Sequence, residues 1–313
     1  MSQLKTILPQ QHEHVYLTDG GLETTLIFDE GFELPYFAAF NLMNSRQGRQ
    51  ALKHYYEKYA ALAVSSRSGF ILESPTWRAS IDWAKKMGFD SQQLAATIAD
   101  GINLLKQIKQ EFEMPDSPFI ISGCVGPRGD GYVVEETMTA HEAQSYHREQ
   151  IQTFAESGVD MVSAMTMTYA DEAIGIVRAA SELNLPVVIS FTTETDGKLP
   201  DGMTLQQAIE TVDAATNNAP AYYMINCAHP DHFSHVLEES SAWVQRIQGV
   251  RANASRKSHA ELDEAEELDS GNPEELGKMY QQLRQQFPQL NVLGGCCGTN
   301  HHHIKHVCQS CLH

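Results

Sequence analysis

Short apolar, β-branched runs recur along the chain, each closing on small or polar residues: Val15 to Thr18, Phe70 to Leu72, Phe119 to Ser122, Met161 to Ala164 and Val187 to Ser190. Tyr222 to Ile225, Gly249 to Ala252 and Val292 to Gly294 continue the series to eight. Runs this short and this apolar read as strands buried on both faces. Longer stretches with a helical polar and apolar period lie between most of them, Arg49 to Val64, His141 to Glu156 and Glu274 to Gln286 among them. No long linker, repeat or low-complexity tract interrupts the alternation, so the pattern predicts an α/β (β/α)8 TIM barrel, one domain over residues 1–313. A doubly wound open sheet would share that alternation, and the place of the chemistry is what favours the barrel.

Charge narrows the function classes. Forty acidic residues against 22 basic ones leave a formal net charge of −18, the wrong sign for phosphate backbones and anionic lipid. Nucleic acid and membranes are therefore not expected partners, while a negative field would help to gather a cationic small molecule. Met1 to Gln11 lacks a basic segment followed by an apolar core, and no apolar stretch approaches the ~20 residues of a membrane span, which predicts a cytoplasmic protein. Glu261 to Asp269, followed by Ser270-Gly271-Asn272-Pro273, reads as a solvated loop or short helix before the last long helix, a mobile surface insertion. No long heptad pattern marks an interface, so a homo-oligomer is neither required nor excluded.

Six cysteines are too few for a disulfide-dense scaffold, and two of them, Cys296 and Cys297, are neighbours, an awkward spacing for a disulfide. Cys227 follows the run ending at Asn226, and Cys296-Cys297 follow Val292-Leu293-Gly294-Gly295, so each group falls at a strand's C-terminal end, the catalytic face of a barrel. Three thiolates make a soft site suited to Zn²⁺ with a fourth position open to water or substrate. Gly294, Gly295 and Gly298 would let the backbone turn tightly there. On residue types alone, inert buried cysteines or a structural zinc completed by a fourth ligand remain open readings.

Gly294-Gly295-Cys296-Cys297-Gly298-Thr299 followed by His303-Ile304 resembles the terminal motif of the homocysteine S-methyltransferase family. Further segments resemble that family in the same order over nearly the whole chain: Asp19-Gly20-Gly21 with Thr24, Gly123-Cys124-Val125-Gly126-Pro127, and Ser190-Phe191-Thr192 with Asp196-Gly197-Leu199-Gly202. The resemblance implies that Cys227, Cys296 and Cys297 are zinc ligands, and that a methyl group moves from a small onium donor to a zinc-bound thiol, homocysteine giving methionine. Coordination would deprotonate a thiol whose free pKa is about 8.5. It also implies substrate contacts at Asp19 and Gly20 in the first turn, at Glu73, Thr76 and Trp77 after the second strand, and at Asn226. Where the family commonly carries a Glu for the homocysteine ammonium, this chain has Met165, so Asp19 or Glu73 would have to compensate, or the acceptor would be another thiol.

S-methylmethionine, S-adenosylmethionine and betaine all fit the resemblance as donors, with Trp77 or Tyr169 available to a cation. The chain has no residues to spare for the folate and cobalamin modules of some relatives. A zinc hydrolase is the rival enzyme, disfavoured because three thiolates weaken the Lewis acid and no His-Glu-x-x-His helix is present. A non-catalytic zinc-binding barrel is the rival outside enzymology. His301 to His303 read as an exposed turn, Cys308 and Cys311 as surface or core residues, and Cys124 as a small buried residue.

Overall fold

The computed structural model describes residues 8–11, 14–265 and 267–312. The expected features at residues 1–7 and at residue 266 lie outside that set. Eight parallel strands close a barrel in sequence order: β1 Tyr16–Leu17, β2 Gly69–Glu73, β3 Phe119–Val125, β4 Met161–Met167, β5 Val187–Phe191, β6 Tyr223–Asn226, β7 Ile247–Ala252 and β8 Val292–Gly295. The predicted (β/α)8 barrel is thus the observed fold. Closure comes from Tyr16 and Leu17 pairing with β2 on one side and with Val292 and Leu293 of β8 on the other. Strand limits move by a few residues, most at β3 and β4, which run three residues past their expected ends at Ser122 and Ala164.

The crossover helices are α1 Arg46–Ser66, α2 Ser91–Phe112, α3 Ala140–Ser157, α4 Ala170–Glu182, α5 Leu205–Thr216, α6 Pro230–Phe233, α7 Pro273–Gln286 and α8 His301–Leu312. Their starts are encoded locally. Asp90 with Gln93, Thr139 with Glu142 and Thr204 with Gln207 form reciprocal capping boxes, and Asn272 caps α7 ahead of Pro273. The α6 unit is a single turn, too short to show a period in sequence. No described helix is long and apolar enough to cross a membrane.

Two apolar layers hold the barrel. One lies between strands and helices; the other fills the barrel interior with Tyr16, Ile71, Ile120, Met161, Val188, Tyr222, Met224 and Val292. The interior is therefore a packed plug, which leaves the C-terminal mouth as the place for chemistry. The acidic segment after β7 departs from its expected role as a free insertion. It forms a short helix, His259–Asp263, and then lies over the mouth, because Leu262 and Leu268 are half-buried there and Asp269 accepts a bond from the Ser255 hydroxyl at 2.6 Å.

Candidate active site

The mouth holds a cavity of about 370 Å³ whose floor carries Cys227, Cys296 and Cys297. Their Sγ atoms converge: Cys227 lies 3.0 Å from Cys296 and 3.4 Å from Cys297. All three fall within 4.8 Å of one another, the one His, Cys, Asp or Glu group among the described residues so placed for a metal ion. Sharing protons splits the thiols. The contact with Cys227 holds Cys296 well below the ordinary thiol range, while the contacts with Cys296 and Cys297 push Cys227 up.

Backbone strain aims Cys227. Cys227 adopts φ +58°, a left-handed conformation that costs a non-glycine residue about 1–3 kcal/mol. Its surroundings hold it there: the Cys227 N–H donates to Arg251 O at 3.1 Å, and its carbonyl accepts from His259 Nε2 at 2.7 Å, Asn253 Nδ2 at 3.0 Å and Thr192 Oγ1 at 3.3 Å. His259 meets a second acceptor, Glu194 Oε1, at 3.0 Å through Nδ1. Two acceptors on one ring require an imidazolium, and although burial opposes it, these bonds hold the His259 pKa above its usual value.

Of the glycines around the cysteine pair, only Gly298 turns through positive φ, at +77°. Gly294 and Gly295 serve differently from the expected tight turn: they sit in β8, where a Cβ would collide with the Thr18 and Thr299 side chains. Gly21 permits a further close approach, since its Cβ would stand 2.6 Å from Cys296 O. The Asp19-Gly20-Gly21 turn is therefore pressed against the cysteine loop.

Asp19, Gly20, Glu73, Trp77, Met165 and Asn226 all line the cavity. Thr76 does not; its hydroxyl donates to Cys124 O at 2.7 Å and orders the turn after β2. Tyr169 turns its hydroxyl to Met138 N at 3.1 Å, away from the cavity. Asn226 is spent within the protein, bonding Thr166 N at 2.9 Å, Thr166 Oγ1 at 2.8 Å and Ser190 Oγ at 2.6 Å. Its amide also reaches Cys296 Sγ at 3.8 Å, so it orients a thiol and holds the bulge where Thr166 has φ +62°. Cys124 lines the floor, Cys308 is buried in α8, and His303, expected in an exposed turn, is buried and bonds Ser270 O at 2.7 Å.

Four further residues escaped the sequence reading. Arg251, at the end of β7, is buried between Asp19 Oδ1 at 2.6 Å and Glu73 Oε2 at 2.7 Å, with Nε on Gly295 O at 3.1 Å. Its signal was a lone charge inside the run Gly249 to Ala252. Tyr132, from the Gly-rich segment between β3 and α3, sets its hydroxyl 3.1 Å from Cys227 Sγ and 3.3 Å from Cys297 Sγ. Its ring stacks on His259 with centroids 4.0 Å apart. Glu23, just after the first turn, also lines the cavity.

Residues 16–311 match the family model described as Homocysteine S-methyltransferase. This chain belongs to the homocysteine S-methyltransferase family. As a member of that family it is an S-methyltransferase. Homocysteine S-methyltransferase 1 of Brassica oleracea var. italica is 21% identical to it, covering 93% of this chain and 91% of its own. The Arabidopsis thaliana protein of the same name is 20% identical over 90% and 89%. In fold, the chain is similar to the homocysteine methyltransferase MmuM from Escherichia coli. The oxidized form has a TM-score of 0.75 at 18% identity, covering 96% of this chain and 97% of that one. The metallated form has 0.73 at 16%, covering 96% of both.

Proposed function

We propose that this S-methyltransferase moves a methyl group from a small onium donor to homocysteine, giving methionine, with Zn²⁺ held by Cys227, Cys296 and Cys297. The observation that carries the proposal is the convergence of three Sγ atoms, from two strand ends, on one point in the floor of the barrel mouth. The donor set fits the metal: soft thiolates suit Zn²⁺, and three Sγ atoms within 4.8 Å of one another can reach a single ion. When bound, the metal supplies the Lewis acidity that keeps an acceptor thiol deprotonated near neutral pH.

The protein's own groups supply position and environment. His259, Asn253 and Thr192 fix the Cys227 backbone, and Asn226 fixes Cys296, so the thiol trio is preorganised. The Tyr132 hydroxyl stands over two of the thiols and must yield when an acceptor arrives. Trp77 and Met165 give the chamber apolar walls, with Trp77 Nε1 donating to Met165 O at 3.4 Å. As the acceptor sulfur forms its bond to the methyl carbon, the donor's onium–methyl bond breaks, its electron pair stays with the donor, and the donor leaves neutral. Holding the two in line is the main catalytic contribution of such a chamber.

Incubating zinc-loaded protein with thiols and methyl-onium donors, with mass spectrometry of the products, tests the reading. Methionine from homocysteine is the expected product, and no thioether from any pair would sink it. Cys297→Ala is expected to lose stoichiometric zinc and turnover together; full zinc occupancy by metal analysis would overturn the ligand assignment.

A further inference from the structure

Asp19 and Glu73, the carboxylates that the sequence offered to a substrate ammonium, are both engaged by Arg251. One guanidinium between two carboxylates, with another bond to Gly295 O, leaves neither acid free to take a second cation without giving up its buried partner. Met165 adds only apolar surface. Of the other carboxylates on the lining, Asp130, Asp263 and Glu267 are exposed at the rim and Asp269 accepts from the Ser255 hydroxyl, which leaves Glu23. Glu23 lines the cavity, is partly open to it, and among the described residues no cationic side chain pairs with it. Arg78, another cation in the wall, is clamped between Trp77 and Trp83 at 4.2 and 4.3 Å and donates to Gly129 O at 2.7 Å. The Asp19-Gly20-Gly21 turn, pressed on the Cys296 backbone, carries Glu23 into the same chamber as the thiols.

Resting on the methyl-transfer reading above, we infer that Glu23 is the specificity-determining residue that binds the α-ammonium of the amino-acid acceptor. Burial pushes its carboxyl up to about 7, against the help of its own backbone N–H, with Cys296 and Asp19 adding to the push. An arriving ammonium relieves that cost, whereas a neutral group in its place leaves the carboxylate without a partner.

Homocysteine and its des-amino analogue, γ-mercaptobutyrate, differ only in that ammonium. With zinc-loaded wild type, Glu23→Gln and Glu23→Asp at saturating S-methylmethionine, the ratio of kcat/KM for homocysteine over the analogue is expected to fall at least about tenfold in the Gln variant. The loss should appear in KM rather than kcat, and Glu23→Asp should recover part of it. An unchanged ratio, or an equal loss for both acceptors, overturns the assignment, as does a shift confined to the donor's KM. In parallel, homocysteine binding without donor is followed by isothermal titration calorimetry, and the Gln variant is expected to bind at least about tenfold more weakly. Equal binding overturns the assignment. If no pair gives thioether in wild type, the methyl-transfer reading falls while the binding arm still decides Glu23. Thermal melts of both variants separate misfolding from lost recognition.

Discussion

Asp19, Glu23 and Glu73 sit within one chamber, and what each can do depends on its partner. Asp19 and Glu73 are pushed up by burial, with Arg251 pulling the other way. Arg251→Met should destabilise by roughly 3–5 kcal/mol, because it leaves two buried carboxylates without a cation. Adding Asp19→Asn and Glu73→Gln to that variant should restore much of the loss, measured by urea unfolding. Glu23 is pushed up by burial as well but has no ion-pair partner among the described residues, titrating near 4.5 when unfolded and at about 7 when folded. Between those values the folded state holds more protons, so Glu23 lowers stability progressively as pH rises through the window. Glu23→Gln should therefore gain stability over the parent from about pH 4.5 to about 7 and keep a constant lead above it; parallel urea stability curves across that range would contradict the carboxyl's raised pKa.

Strand ends are the elements that build this site. The β4 end bulges between Ala164 and Met167, with Thr166 in the left-handed region, and the β6 end turns left-handed at Cys227. Asn226 ties the two ends together through Thr166 and reaches Cys296 across the mouth. Asn226→Ala should cost about 1–3 kcal/mol from orphaned buried partners. Under the proposed zinc assignment it should also weaken metal affinity by ~10–100-fold, since the partner that orients Cys296 is gone. Competition against a chelator checks the second effect, and undiminished affinity would show that the bulge does not orient the thiols.

At the scale of the whole molecule, the charge of −18 and the acids around the mouth, Asp130, Asp263, Glu267 and Asp269, form a negative field above the cavity. For a cationic donor, kcat/KM should fall as ionic strength rises from about 0.01 to 0.15 M, where the screening length shrinks from roughly 30 to 8 Å. A flat salt profile would assign those acids to solubility alone. Eight short apolar runs, capping boxes and glycine-punctuated cysteines made the barrel and the thiol trio legible in sequence, because period and motif are local and each strand end in a parallel barrel faces the same mouth. Arg251, Tyr132, His259 and Glu23 were not legible in that way. They come from segments up to 232 residues apart in the chain, as Arg251 and Asp19 do. Which carboxylate is paired and which is free follows from how closely those segments approach, and no local pattern records that distance. The sequence by itself determined the fold, the three thiols and the turn that approaches them; the tertiary structure alone decided that Arg251 occupies Asp19 and Glu73 and leaves Glu23 facing the cavity, because a charge balance is a property of side chains brought together in space.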